Sequence, residues 1–149
     1  MILSADTNLF VYAVDDRDPV KRETARTVIA QLARAQAPIS LQVIGELQNA
    51  LRRRLKMPVH LASQQARNIF SAFPSFAYDR TSVDQALAQS AAARLGYWDA
   101  LLIAACSQAG VSVLLSEDMQ DGFTLGGVRV INPFGADGLS IAARQILES

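Results

Sequence analysis

Trp98-Asp99-Ala100-Leu101-Leu102-Ile103-Ala104-Ala105-Cys106 is followed, just past Gly110, by Val111-Ser112-Val113-Leu114-Leu115-Ser116-Glu117-Asp118. The first run is apolar nearly all round, which predicts a buried helix from about Trp98 to Gly110. The second opens as a continuous apolar stretch, which predicts a buried strand over Val111–Leu115. Other stretches repeat this alternation. Ile2–Ala5 is a short apolar run ending at Asp6, and Asp18-Pro19 is a helix start with an acid at the cap and proline in the first turn. That helix extends to about Ala35, and Pro38-Ile39-Ser40 supplies a second strand. Val43, Leu47, Leu51 and Leu55 recur every four residues in a helix that Pro58 stops. Leu61–Phe73 reads as another helix, Phe76–Tyr78 as a strand. Thr81-Ser82-Val83-Asp84 resembles a capping box, with Gly96 as the left-handed residue closing that helix. Val128–Ile131 is a further strand, Asn132–Gly135 a turn and Leu139–Leu147 a last helix. Strands alternating with helices predict an α/β layer fold on a mostly parallel sheet. The chain has no internal repeat or linker, so it reads as one domain over residues 1–149.

The 149 residues are half hydrophobic and 19% charged, as in an ordinary globular protein with a core of its own. No apolar run is long enough to span a membrane. The N-terminus lacks a basic region and has an acid where a signal peptide would be apolar, so a cytoplasmic location is expected. Fourteen basic and fourteen acidic residues cancel. That balance argues against a protein that holds duplex nucleic acid by charge alone, but not against a nuclease, whose site acids offset basic residues elsewhere. The single cysteine, Cys106, excludes an internal disulfide and a cysteine metal cage, and it reads as a buried small hydrophobe.

Four acids stand out by position. Asp6 and Asp118 each follow a strand, where ligands bind in open parallel sheets; taken singly, either is also what an ordinary turn carries. Asp99 opens the all-apolar helix, where an unpaired charge costs several kcal/mol, so it must be paired, protonated or metal-bound. Glu46 lies at the edge of its helix's apolar arc, a place that also suits an exposed helical glutamate. Converging carboxylates repel one another unless a cation sits among them, and oxygen ligands without histidine or cysteine select Mg²⁺ or Mn²⁺. The only histidine, His60, reads as helix-entry surface, which disfavours zinc chemistry and a Ser-His-Asp triad.

These residues resemble a known family. Met1–Ala13, with Asp6-Thr7-Asn8 after the first strand, is similar to the opening of PIN domains. Gln42-Val43-Ile44-Gly45-Glu46-Leu47 resembles their second acidic motif, Tyr97–Ala105 their third and Ser116–Gly122 their fourth, in order along nearly the whole chain. Within the family the chain looks most like VapC-type toxins of bacterial toxin–antitoxin pairs. The resemblance implies a three-layer fold with a small, mostly parallel central sheet flanked by helices. It also implies Mg²⁺- or Mn²⁺-dependent RNA cleavage, a homodimer and inhibition by a small antitoxin. It makes Asp6, Glu46, Asp99 and Asp118 the acidic metal site, with Thr7 or Asn8 orienting Asp6. Ser116 stands where the family often has threonine, and Asp121 near a position where some members carry a further acid. Glu117 reads as solvent-facing.

Arg52, Arg53, Arg54 and Lys56 form the nearest basic cluster. Arg53, seven residues from Glu46 on the same ridge, is the RNA phosphate candidate; Arg52 and Lys56 read as a solvated helix face. Trp98 reads as core packing rather than a ring that stacks on a base. A haloacid-dehalogenase-like phosphatase would need Asp-x-Asp, but Asn8 replaces the second acid. A receiver domain needs a lysine after a late strand, and none follows Lys56. A catalytically idle binding module of the same fold stays open.

Overall fold

A computed structural model describes residues 1–149. In chain order the elements are β1 (Leu3–Ala5), α1 (Thr7–Tyr12), α2 (Pro19–Arg34), β2 (Ile39–Ser40), α3 (Leu41–Arg54), α4 (Val59–Ala72), β3 (Ser75–Phe76) and α5 (Arg80–Ala91). Then come α6 (Tyr97–Gln108), β4 (Val113–Leu115), β5 (Thr124–Leu125), β6 (Val128–Ile131), the hairpin β7 (Phe134–Gly135) with β8 (Gly138–Leu139), and α7 (Ile141–Leu147).

The central sheet has the order β1-β4-β6-β5. β1, β4 and β6 run parallel, with Ala5 opposite Leu115 and Leu115 opposite Ile131; β5 is antiparallel to β6. The carboxyl ends of β1 and β4 are therefore level. Asp6 N–H donates to Leu115 O at 2.9 Å, and Ser116 N–H to Ile131 O at 3.0 Å. The pair β2 and β3 is also parallel, and Ser4 Oγ donates to Pro38 O at 2.7 Å, joining β1 to the entry of β2.

Burial explains the strands. Ala5, Val113, Leu114, Leu115, Val130 and Ile131 are all buried in one core with Val28, Leu32, Val43, Leu47 and Leu51 from the helices. Ala100 to Cys106 of α6 are buried without exception, as the all-apolar run requires. Gly110, at φ +79, closes that helix in the left-handed region, and Val111 N–H reaches back to Cys106 O at 2.9 Å. Cys106 lies in the core, and burial, with the nearby Asp6 charge, pushes its thiol up to about 12. No helix is long and apolar enough to cross a membrane.

Several local expectations need correction. α5 begins two residues earlier than its serine-rich start suggested. Asp79 is the cap, accepting from Ser82 N–H while the Ser82 hydroxyl accepts from Asp79 N–H, and Gly96 is the cap of α6 rather than the close of α5. Ala93 takes the left-handed position there, at φ 57. Asn132–Gly135 leads into the β7–β8 hairpin rather than forming a lone turn, and β5 was not anticipated. Nor was α1. Five of its six residues, Thr7 to Val11, are buried, so no exposed face marks a helical period.

Candidate active site

Asp6 sits where β1 ends and caps α1. Its Oδ1 accepts from Thr7 N–H at 2.7 Å, and its Oδ2 accepts from the Ser116 hydroxyl at 2.9 Å. Burial pushes its pKa up to about 6; the charges of Asp118 and Glu46 push the same way, and the hydrogen bonds from Thr7 and Ser116 oppose them. Glu46, one turn into α3, accepts from the Thr7 hydroxyl at 3.0 Å and from Gln42 Nε2 at 3.0 Å. Gln42 also donates to Trp98 O at 3.1 Å, which ties the start of α3 to the start of α6.

Asp99 lies in the first turn of α6, where the helix dipole favours an acid. Burial raises its pKa, with Asp118 and Glu46 adding repulsion, and no hydrogen bond offsets them. Asp118 follows β4. Burial raises its pKa first, then the charges of Glu117 and Glu46; Arg54 and the Asn8 amide pull it down. The four carboxylates line one cleft of about 590 Å³ together with Thr7, Asn8, Asn49, Ala50, Arg53, Arg54 and Lys56.

The other expected site residues fall differently. Asn8 does not orient Asp6: its Nδ2 donates to both oxygens of Asp118 at 2.7 Å, while its Oδ1 accepts from Arg54 Nη1 and Nη2 at 2.6 and 2.7 Å. Thr7 serves Asp6 through its backbone and Glu46 through its hydroxyl. Asp121 stands outside the cleft, accepting from Asn132 N–H at 2.8 Å. Glu117 is not free in solvent, because it accepts from Tyr12 OH at 2.6 Å and pairs with Lys21 at 2.7 Å. Arg53 lines the cleft, as does Lys56, which the sequence assigned to a solvated face. Trp98 is 61% exposed, with its edge against Tyr97, so it is not core packing. Gln42 was missed, although its place four residues before Glu46 is the spacing at which helical side chains meet.

The donor set is all oxygen. As the side chains lie, no three acids close into a cage around a single point. An all-oxygen donor set has the chemistry that a hard divalent cation such as Mg²⁺ takes. Burial raises the pKa of Asp6, Asp99 and Asp118, and the Glu46 charge adds to all three, a condition that a divalent cation would relieve.

No curated protein matches the sequence. Among solved structures, a toxin–antitoxin complex from Klebsiella pneumoniae matches with TM-score 0.64 and 19% identity over 90% of this chain and 98% of that one. VapBC2 from Rickettsia felis, bound to a promoter DNA fragment, matches with TM-score 0.64 and 15% identity over 87% and 97%. Mycobacterium tuberculosis VapC20, a sarcin-ricin loop cleaving toxin, matches with TM-score 0.61 and 19% identity over 78% and 89%. These likenesses fix the fold. The PIN domain family model matches residues 5–120, a span that takes in every acid of the cleft, and the chain belongs to the PIN domain family.

Proposed function

We propose that this protein is a Mg²⁺- or Mn²⁺-dependent ribonuclease of the VapC type, the toxin of a toxin–antitoxin pair. One observation carries the reading: four carboxylates from four separate elements line a single cleft whose wall also bears Arg53 and Lys56. The similar structures include toxin–antitoxin complexes and a toxin described as cleaving the sarcin-ricin loop, which supports an RNA substrate and a small protein partner.

Asp6, Asp99 and Asp118, with Glu46, would hold the ion. Once bound, it would supply charge to the phosphoryl oxygens and acidify water for attack on phosphorus. The protein's share is position. Thr7 N–H and the Ser116 hydroxyl fix both oxygens of Asp6, and Gln42 and Thr7 fix Glu46. Arg53 and Lys56 make no ion pair with any of the acids, so they are free for RNA backbone phosphates. Hydrolysis breaks one phosphorus–oxygen ester bond and leaves a phosphomonoester and a hydroxyl.

The test is cleavage of single-stranded or loop RNA by purified protein. Activity is expected with Mg²⁺ or Mn²⁺, not with Zn²⁺, and not in EDTA. Asp99→Asn should abolish it while raising the metal-free melting temperature and shrinking the Mg²⁺-induced shift, because the amide removes a charge that burial, Asp118 and Glu46 disfavour and no hydrogen bond offsets. Equal cleavage in EDTA would overturn the reading, as would an Asp99→Asn protein that is less stable and still cleaves.

A further inference from the structure

The last turn of α3 carries Arg52, Arg53 and Arg54, which is where cations offset the negative end of a helix. That explanation serves any arginine pointing outward. Arg54 does something else: both of its terminal nitrogens converge on one atom, Asn8 Oδ1, at 2.6 and 2.7 Å. Asn8 is buried, and its amide can face only one way once the oxygen is held. Its Nδ2 then points at Asp118 and donates to both carboxylate oxygens at 2.7 Å. Three elements far apart in sequence are joined this way: α3, α1 and the segment after β4. A guanidinium on the amide oxygen also polarises the amide N–H groups and strengthens their hold on the carboxylate. Arg54 itself pairs with no carboxylate within ion-pair distance.

We propose that Arg54 is a positioning residue that sets Asp118 through the Asn8 amide, and not a ligand of the RNA backbone like its neighbours Arg53 and Lys56. The proposal rests on the nuclease reading, since positioning Asp118 matters only if Asp118 helps to hold the cation. It separates two effects of opposite sign. If Arg54 were merely a positive charge beside an acidic cleft, removing it would tighten Mg²⁺ binding. If Arg54 positions Asp118, removing it loosens Mg²⁺ binding, by about tenfold on the scale seen for groups that orient metal ligands.

The experiment is a double-mutant cycle of Arg54→Ala and Asn8→Ala, with Arg54→Lys as the variant that keeps the charge but not the fork. MgCl₂ is titrated against the thermal melt of each protein. Separately, binding of a fluorescein-labelled single-stranded RNA is measured in EDTA across a salt series. Arg54→Ala is expected to raise the Mg²⁺ midpoint about tenfold, Arg54→Lys to fall between, and Arg54→Ala to add nothing in the Asn8→Ala background. RNA affinity in EDTA and its salt slope should stay at wild-type values. A Mg²⁺ midpoint that falls would overturn the proposal. So would an RNA salt slope reduced by about one phosphate contact in both backgrounds, because that would make Arg54 a phosphate ligand. If Arg54→Ala does not fold, Arg54→Lys in the two backgrounds decides by the same criteria. A wild-type protein whose melt ignores Mg²⁺ would remove the nuclease reading itself, and the role assigned to Arg54 with it.

Discussion

The Asp6 carboxylate accepts two hydrogen bonds and still keeps its proton up to about pH 6, because burial outweighs them. Its ordinary value is 3.8, so the folded, metal-free protein holds this proton more tightly than the unfolded chain does. The resulting stabilisation is present at low pH and is lost as pH rises through about 6. Asp99 and Asp118 act in the same direction. Asp15, held down to about 2 by its hydrogen bonds from Arg17, acts the other way, but its contribution is already complete above the ordinary carboxylate range. In EDTA the protein should therefore melt higher near pH 5 than near pH 7.5. Asp6 alone contributes about 1.4 kcal/mol of this difference, or roughly 3–6 °C for a chain of this size. Calorimetry across that window should give a flatter profile for Asp6→Asn; an unchanged profile would mean that another group carries the effect. Of the four acids only Asp99, inside an apolar helix, stood where a solvated role was hard to assign; Asp6, Asp118 and Glu46 suited a turn or an exposed helix face equally well, and the resemblance grouped them. Their wiring was not legible. Whether Asn8 turns to Asp6 beside it or to Asp118, 110 residues away, depends on strand register, and that is fixed only when β1 and β4 pair.

At the scale of the element, α3 ends in a way that costs stability. Lys56 stands at φ 55, in the left-handed region where glycine is at ease, and Met57 N–H closes the turn on Leu51 O at 3.1 Å. Gln36, after α2, holds φ 53 and lines a different hollow, at the opposite end of β1. A side chain in this region costs on the order of 1–2 kcal/mol. Lys56→Gly and Gln36→Gly should both raise the melting temperature, by about 2–4 °C for each 1 kcal/mol recovered. Only Lys56→Gly should also weaken RNA binding and lower its salt dependence by roughly one phosphate contact, and Arg53→Ala should do the same to RNA without the gain in stability. Equal RNA binding by both glycine variants would make Lys56 a surface residue with no part in the cleft. Elements were legible where an apolar period or a proline marked them, as for α2, α3 and α4. Those that escaped were α1, buried in five of its six residues, and β5 and the β7–β8 hairpin, which are only two residues to a strand. Gly96 misled for a physical reason, since glycine serves at either end of a helix and the sequence alone does not say which.

At the scale of the whole molecule, the surface leaves Tyr78, Leu87 and Trp98 exposed around α5 and the start of α6. A homodimer that covers such side chains should have a mass near 32 kDa by light scattering, about twice the 16.1 kDa of one chain. A mass of one chain at micromolar concentration would argue against it. The order β1-β4-β6 has a different consequence. The first strand waits for a partner that is synthesised late, and that partner is itself flanked by β6, which ends at Ile131. While the chain is being translated, at about 5–20 residues per second, Asp6, Glu46 and Asp99 are made without a cleft to hold them. Chains stalled on the ribosome after residue 110 should leave RNA intact, and release of the full chain should start cleavage. On the proposed nuclease reading, this topology withholds a complete set of acids until β4 and β6 have been made and paired with β1.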